Sequence, residues 1–157
     1  MSIHKIAYKE TGYFSKLICD YLEEHESLNQ FYGNFPTLEN FKKQLEAKSF
    51  SQEKRSVLVS ALQNQYKNLE LGEAVESAIE QLEKENTFTV TTGHQLNLFT
   101  GPLYFLYKII STITLSRKLK EAYPDHNFVP VYWMATEDHD FDEINYFRLH
   151  GKKIQWN

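Results

Sequence analysis

The sequence predicts an α/β fold, with a helical N-terminal region over residues 1–86 followed by the first βαβ unit of a parallel sheet within residues 87–157. Three observations predict it. Apolar residues recur at three- and four-residue spacing through the first half, the period of an amphipathic helix. At Asn86 the composition turns to Thr, Val and Phe, which favour strands. A strand pattern, a long helical pattern and a second strand pattern then follow within about fifty residues, the size and order of a right-handed βαβ unit.

The helices can be placed one by one. Tyr13, Leu17, Ile18, Tyr21 and Leu22 share one helical face, and Gly33, Asn34 and Pro36 break the pattern. Thr37 is positioned to cap a short helix carrying Leu38, Phe41 and Leu45. Ser51 is a candidate cap for a third, with Val57, Leu58, Ala61, Leu62, Tyr66 and Leu69 along one face. Gly72 separates it from a fourth over 74–85, whose apolar positions are Val75, Ala78, Ile79 and Leu82. The Glu, Lys and Gln of these helices read as solvated faces, and His4 and His25 stand isolated.

Thr87 to Thr92 has the strand signature. From Leu103 to Tyr123 the length of the apolar pattern favours a buried helix, although Ile109, Ile110, Thr112, Ile113 and Thr114 are β-branched. Gly101-Pro102 looks like its start, since proline suits the first helical position. Pro124 ends it, and Phe128 to Ala135 form the second strand. Pro130 cannot donate to a ladder, so it belongs at a strand start or on an edge. Segments 145–149 and 152–156 flank His150-Gly151 with hairpin spacing. Two parallel strands do not make a stable open sheet, so further strands are expected from sequence beyond this stretch.

The totals narrow the function. A net charge of −4 and a pI near 5.9 argue against a protein built to coat nucleic acid. Aromatic content of 15%, with eleven Phe and ten Tyr, suits a packed core and not a disordered chain. Cys19 is the only cysteine, which excludes an internal disulfide and a cysteine-rich zinc site, and fits a reducing cytoplasm. The N-terminus lacks a signal-peptide apolar core, and no run reaches the roughly 18 apolar residues of a membrane span.

Two polar segments then stand out. Thr91 to Tyr104 joins the first strand to the long helix, the position where α/β proteins bind phosphates and carboxylates on free backbone N–H groups. Thr92 and Gly93 lie at the strand exit, where glycine allows close backbone approach to a ligand. His94, Gln95 and Asn97 supply hydrogen-bond donors, and Gly101 opens the helix. The segment matches neither a dinucleotide fingerprint nor a P-loop. After the second strand, Glu137, Asp138, Asp140, Asp142 and Glu143 crowd around His139. Carboxylates this close repel, so some require a metal, a cationic substrate group, or Lys and Arg from elsewhere. Alternatively an Asp caps the next helix. If the strands are parallel neighbours, both segments open at one sheet edge. His126 and His150 read as structural.

The runs Thr-Gly-His-Gln (92–95), Leu-Phe-Thr-Gly-Pro-Leu-Tyr (98–104) and Phe-Val-Pro-Val-Tyr-Trp-Met-Ala-Thr-Glu-Asp-His-Asp-Phe-Asp-Glu-Ile (128–144) resemble the N-terminal part of the bacillithiol biosynthesis cysteine-adding enzymes, the cysteine ligase BshC family. The match is dense from Thr87 to Asn145, with two departures: His94 where the family has Gln, and Thr100 where it has Gly. The resemblance implies a Rossmann-like core akin to class I aminoacyl-tRNA synthetases, with connecting domains and a dimerising C-terminal coiled coil further on. It also implies a cytoplasmic ligase that joins the cysteine carboxyl to the amine of glucosaminyl malate. Amide formation from a free carboxylate needs activation, for which an ATP-derived acyl-adenylate or acyl-phosphate is the natural route. In that scheme His94 and Gln95 sit beside the activated group. Asp138, His139 and Asp140 hold an amine, one of them as base, while Thr92, Gly93, Asn97, Gly101 and Glu137 line the substrate or nucleotide site. Two other readings remain open: a metal-dependent hydrolase with Asp138, His139 and Asp140 as ligands, and a non-catalytic interaction module.

Overall fold

The computed structural model describes residues 4–99, 101–138 and 140–156. Its contacts divide the chain into two compact units, residues 1–48 and 49–157.

The first unit holds α1 (Tyr8–Thr11), α2 (Lys16–Leu22), a 3-10 turn (Glu26–Phe31) and α3 (Leu38–Ala47). The Ser15 hydroxyl accepts the Ile18 N–H and starts α2, which leaves Tyr13 ahead of the helix. Thr37 caps α3 as its position predicts, accepting the N–H of Asn40 at 3.3 Å. Tyr21 meets Tyr32 edge-on and Phe35 at a tilt, with ring centroids 5.4 and 5.2 Å away. Cys19 is half-buried on α2.

The second unit begins with α4 (Gln52–Tyr66), capped by Ser51, and α5 (Glu73–Gln81). Val59, Ile79, Leu82 and Val129 form its buried core, with Leu62, Tyr66, Leu71, Ala78 and Val131 packed around them. Helix α5 stops four residues before the expected Glu85 because Arg55 intercepts the chain. Its guanidinium, 6% exposed, donates to the carbonyls of Leu82 and Glu85 at 3.0 and 3.2 Å. The Leu82 carbonyl is an acceptor that the helix end leaves open, where a cation complements the helix dipole, and Glu85 lies in the turn beyond it.

The sheet consists of β1 (Thr87–Gln95) and β2 (Asn127–Ala135), joined by α6 (Leu103–Ala122). The strands pair in parallel from Thr87 with Asn127 to Gln95 with Ala135. Strand β1 thus runs three residues beyond Thr92, taking in Gly93, His94 and Gln95, which the sequence assigns to a loop. Pairing with β2 supplies the ladder that this polar stretch does not signal by itself. Pro130 lies opposite Val90 in a strand with one described neighbour, where a missing donor is tolerated.

Alternation divides the sheet faces. Val129 and Val131 meet α4 and α5, whereas Tyr132 meets Phe105 of α6 edge-on at 5.6 Å. Helix α6 buries Thr112, Ser116 and Leu119. Both hydroxyls bond the carbonyl four residues back, at 2.9 Å each, so short polar side chains lie in the interface without an unmet hydrogen bond. Pro102 occupies the N-cap and not the first helical position, with φ −70° and ψ 154°.

A four-residue helix, α7 (Phe141–Ile144), leads into an antiparallel hairpin of β3 (Tyr146–Leu149) and β4 (Lys152–Gln155). His150 and Gly151 form its two-residue turn at φ 48° and 78°, the backbone that type I′ hairpins require. Among the described residues, no helix is long and apolar enough to cross a membrane.

Candidate functional site at the C-terminal edge of the parallel strands

Parallel, in-register pairing brings Gln95 and Ala135 side by side, so the segments that follow both strands leave the same sheet edge. At this edge lies an open cleft of about 920 Å³. One wall is the first segment, from His94 to Phe99 with Gly101, Pro102 and Tyr104. The other is Asp142, Glu143 and Ile144 of α7 with β3 residues Tyr146 to Leu149. Phe99 meets Phe147 edge-on at 5.0 Å and draws the two walls together.

His94 is the most constrained polar group on the cleft. Its Nε2 lies 2.8 Å from the Tyr104 hydroxyl, in the first turn of α6. Its Nδ1 lies 2.8 Å from the Asn97 amide nitrogen and 3.1 Å from the Gln95 carbonyl oxygen. Phe105 packs edge-on against the ring at 5.7 Å. Its backbone is held as well, since the Tyr132 hydroxyl donates to the His94 carbonyl at 3.2 Å. One residue earlier, the Lys108 ammonium donates to the Gly93 carbonyl at 3.0 Å. Gly93 needs its missing side chain for proximity: a Cβ would come 3.0 Å from the Trp133 carbonyl oxygen across the strand pair.

The nominated residues divide among several places. His94, Gln95, Asn97 and Gly101 line the cleft together. Thr92 borders a smaller hollow of about 470 Å³ with Tyr107, Lys108 and Thr112. Asp140 caps α7, its carboxylate accepting the Asp142 N–H at 3.0 Å. Glu137 and Asp138 are exposed and do not line the cleft; the acidic residues that do are Asp142 and Glu143. His139 lies outside the described residues, so the Asp138-His139-Asp140 set is described only in part. Among the described residues, no group of three or more His, Cys, Asp or Glu is placed to hold a metal.

Two cleft residues escaped the sequence reading. Tyr104 entered the sequence reading only as the end of the polar segment, and its contact with His94 spans ten residues. Arg148 reaches the cleft from β3, exposed and without an ion pair to any described residue. The cleft thus combines an imidazole, two phenols, two amides, a guanidinium and two carboxylates. That set can bind an oxyanion and an amine at once.

Comparisons with known proteins agree with this architecture. The family model described as Bacillithiol biosynthesis BshC, N-terminal Rossmann-like domain, matches residues 1–157. A protein of Flavobacterium johnsoniae named "Putative cysteine ligase BshC" is 60% identical over 154 residues, covering 97% of this chain and 29% of the relative. One of the same name from Flavobacterium psychrophilum is 59% identical over 155 residues, covering 97% and 29%. Another, from Bacillus cereus, is 34% identical over 156 residues, covering 99% and 28%. The chain therefore spans a little under a third of the length of these curated relatives. It belongs to the BshC family, to the part described as its N-terminal Rossmann-like domain.

Proposed function

We propose that this chain is the N-terminal part of a cysteine ligase that joins the carboxyl of cysteine to the amine of glucosaminyl malate. The observation that carries the reading is the shared sheet edge, where the His94 segment and the α7–β3 segment face one cleft. Family membership and the relatives' printed name support it.

Amide formation from a carboxylate requires an activated acyl group, for which ATP or another nucleoside triphosphate is the natural donor. His94 and Gln95 sit beside the activated carboxyl or its phosphate, His94 acting through the Tyr104 hydroxyl that its Nε2 meets, and stabilise charge that grows in the transition state. Asp138, His139 and Asp140 are assigned the cysteine ammonium or the amine of the acceptor, one of them as base, with Asp138 outside the cleft lining and Asp140 also capping α7. Asn97 and Gly101 complete the substrate surroundings on the cleft, and Thr92, Gly93 and Glu137 support them from outside its lining. The full-length protein works in the cytoplasm, as a homodimer.

The test is cysteine transfer to glucosaminyl malate by the relative-length protein carrying this chain, with and without ATP. His94→Ala is expected to lower the rate by at least a hundredfold, since a transition-state donor is worth about 10²–10³ in rate. Unchanged transfer would remove His94 from the chemistry.

A further inference from the structure

We infer that Tyr104 donates its phenolic proton to a ligand oxyanion in the cleft, and that Asn97 sets this polarity by fixing the tautomer of His94. The inference deepens the ligase reading and rests on it for the location of the site.

The hydrogen-bond partners favour one placement of the protons. The Gln95 carbonyl oxygen can only accept, so the Asn97 side chain must present its NH₂ group there, at 2.9 Å. The same nitrogen lies 2.8 Å from His94 Nδ1. The Gln95 oxygen also lies 3.1 Å from Nδ1, but an N–H on that nitrogen would face the amide N–H at 2.8 Å, so the closer contact decides: one amide proton goes to each partner and Nδ1 accepts. In the neutral ring the proton then resides on Nε2, which donates to the Tyr104 hydroxyl oxygen 2.8 Å away. The hydroxyl has one proton of its own, and it cannot point back at a ring nitrogen that already carries one. Tyr104 is 54% exposed and lines the cleft, so this proton is available to a ligand there.

The ligand chemistry follows from what the donor meets. A phenol directed into a cleft that also holds the Arg148 guanidinium, which has no ion pair to any described residue, selects an acceptor with negative charge. The shared chemistry is an oxyanion, either a phosphate or a carboxylate.

Asn97 is a positioning residue whose removal has a defined consequence. The Gln95 carbonyl also lies 3.1 Å from His94 Nδ1. Without the Asn97 amide, that oxygen draws the ring proton to Nδ1. Nε2 then becomes an acceptor, Tyr104 donates to it, and the phenolic proton is withdrawn from the cleft.

Two measurements on the relative-length protein carrying this chain test this. Nitrogen-15 shifts of His94, taken above the histidine titration range, report which ring nitrogen carries the proton. Titrations with inorganic phosphate and with acetate report oxyanion binding. The expected result is an Nε2–H ring in the wild type and an Nδ1–H ring in Asn97→Ala. Tyr104→Phe is expected to keep the Nε2–H ring. Both variants should weaken oxyanion binding by about tenfold or more, the effect of one charge-assisted hydrogen bond. Binding of phosphate alone identifies a phosphate ligand, and binding of acetate alone a carboxylate. A wild-type Nδ1–H ring overturns the inference without recourse to any variant. So does wild-type affinity in Tyr104→Phe, or no binding of either anion. A correct tautomer and anion response alongside undiminished cysteine transfer in His94→Ala would sink the catalytic role of His94 and leave the tautomer assignment standing.

Discussion

Gly101 and Asn97 fit together only because Gly101 has no side chain: a Cβ there would lie 2.6 Å from Asn97 Cγ and 2.7 Å from its Oδ1. The same glycine sits at φ +62°, in the left-handed region. Gly101→Ala is therefore expected to destabilise the chain by about 1–3 kcal/mol, combining backbone strain with a displaced Asn97. It should also disturb the His94 tautomer. Chemical denaturation and His94 nitrogen shifts check both effects, and a variant with wild-type values in each would show that the contact is easily relieved.

Arg55 holds the end of α5 from inside the second unit. Removing it leaves the buried carbonyl of Leu82 without this donor. Arg55→Ala is expected to reduce stability by about 2–4 kcal/mol, from the unmet acceptor and the lost packing. Arg55→Lys should restore only part of this, because an ammonium cannot reach two carbonyls in the planar fork geometry. Denaturant midpoints for the pair decide it, and a lysine variant as stable as wild type would argue against the bidentate role.

Ser51 and Thr37 each accept one helix-starting N–H, from Lys54 and Asn40. Ser51→Ala and Thr37→Ala should each lower stability by about 1 kcal/mol. Glycine at either position should cost only a few tenths of that unit more than the native residue. Amide exchange across the first turns of α4 and α3 would reveal the fraying locally, and unchanged protection in the alanine variants would contradict the capping assignment.

Asp20 has a carboxyl held below its ordinary pKa, chiefly by its hydrogen bond from Lys16 one helical turn before it. A depressed carboxylate contributes stability above its unfolded-state pKa, and that contribution disappears as pH falls through the lower folded value. Lys16→Met should move the Asp20 titration midpoint upward. Salt should do the same, because the pair is at the surface. Carbon-13 detected titration of the carboxyl reads this directly, and an unmoved midpoint would assign the shift to other groups.

Much of the architecture was legible because its causes are local. The caps at Thr37 and Ser51 depend on a hydroxyl and a backbone N–H three residues away. The hairpin turn depends on two adjacent residues, His150 and Gly151, adopting positive φ. The long pattern from Leu103 resolved as α6 despite its β-branched residues, since packing along the sheet outweighs their modest helix penalty. The runs around His94 and Glu137 also made the family readable from the chain itself.

What the tertiary structure alone decided depends on partners distant in the chain. Gly93, His94 and Gln95 are strand because β2, forty residues later, supplies their ladder. Arg55 is buried because the turn after α5 brings it two carbonyls. Asp142, Glu143 and Arg148 join the cleft through the placement of α7 and β3, while Asp140 is engaged in capping. The amino-acid order by itself determined the long helices and the start of each strand, and which segment carries the histidine. Folding determined which nitrogen of that histidine bears the proton, because hydrogen-bond polarity is set by the atoms that meet in space.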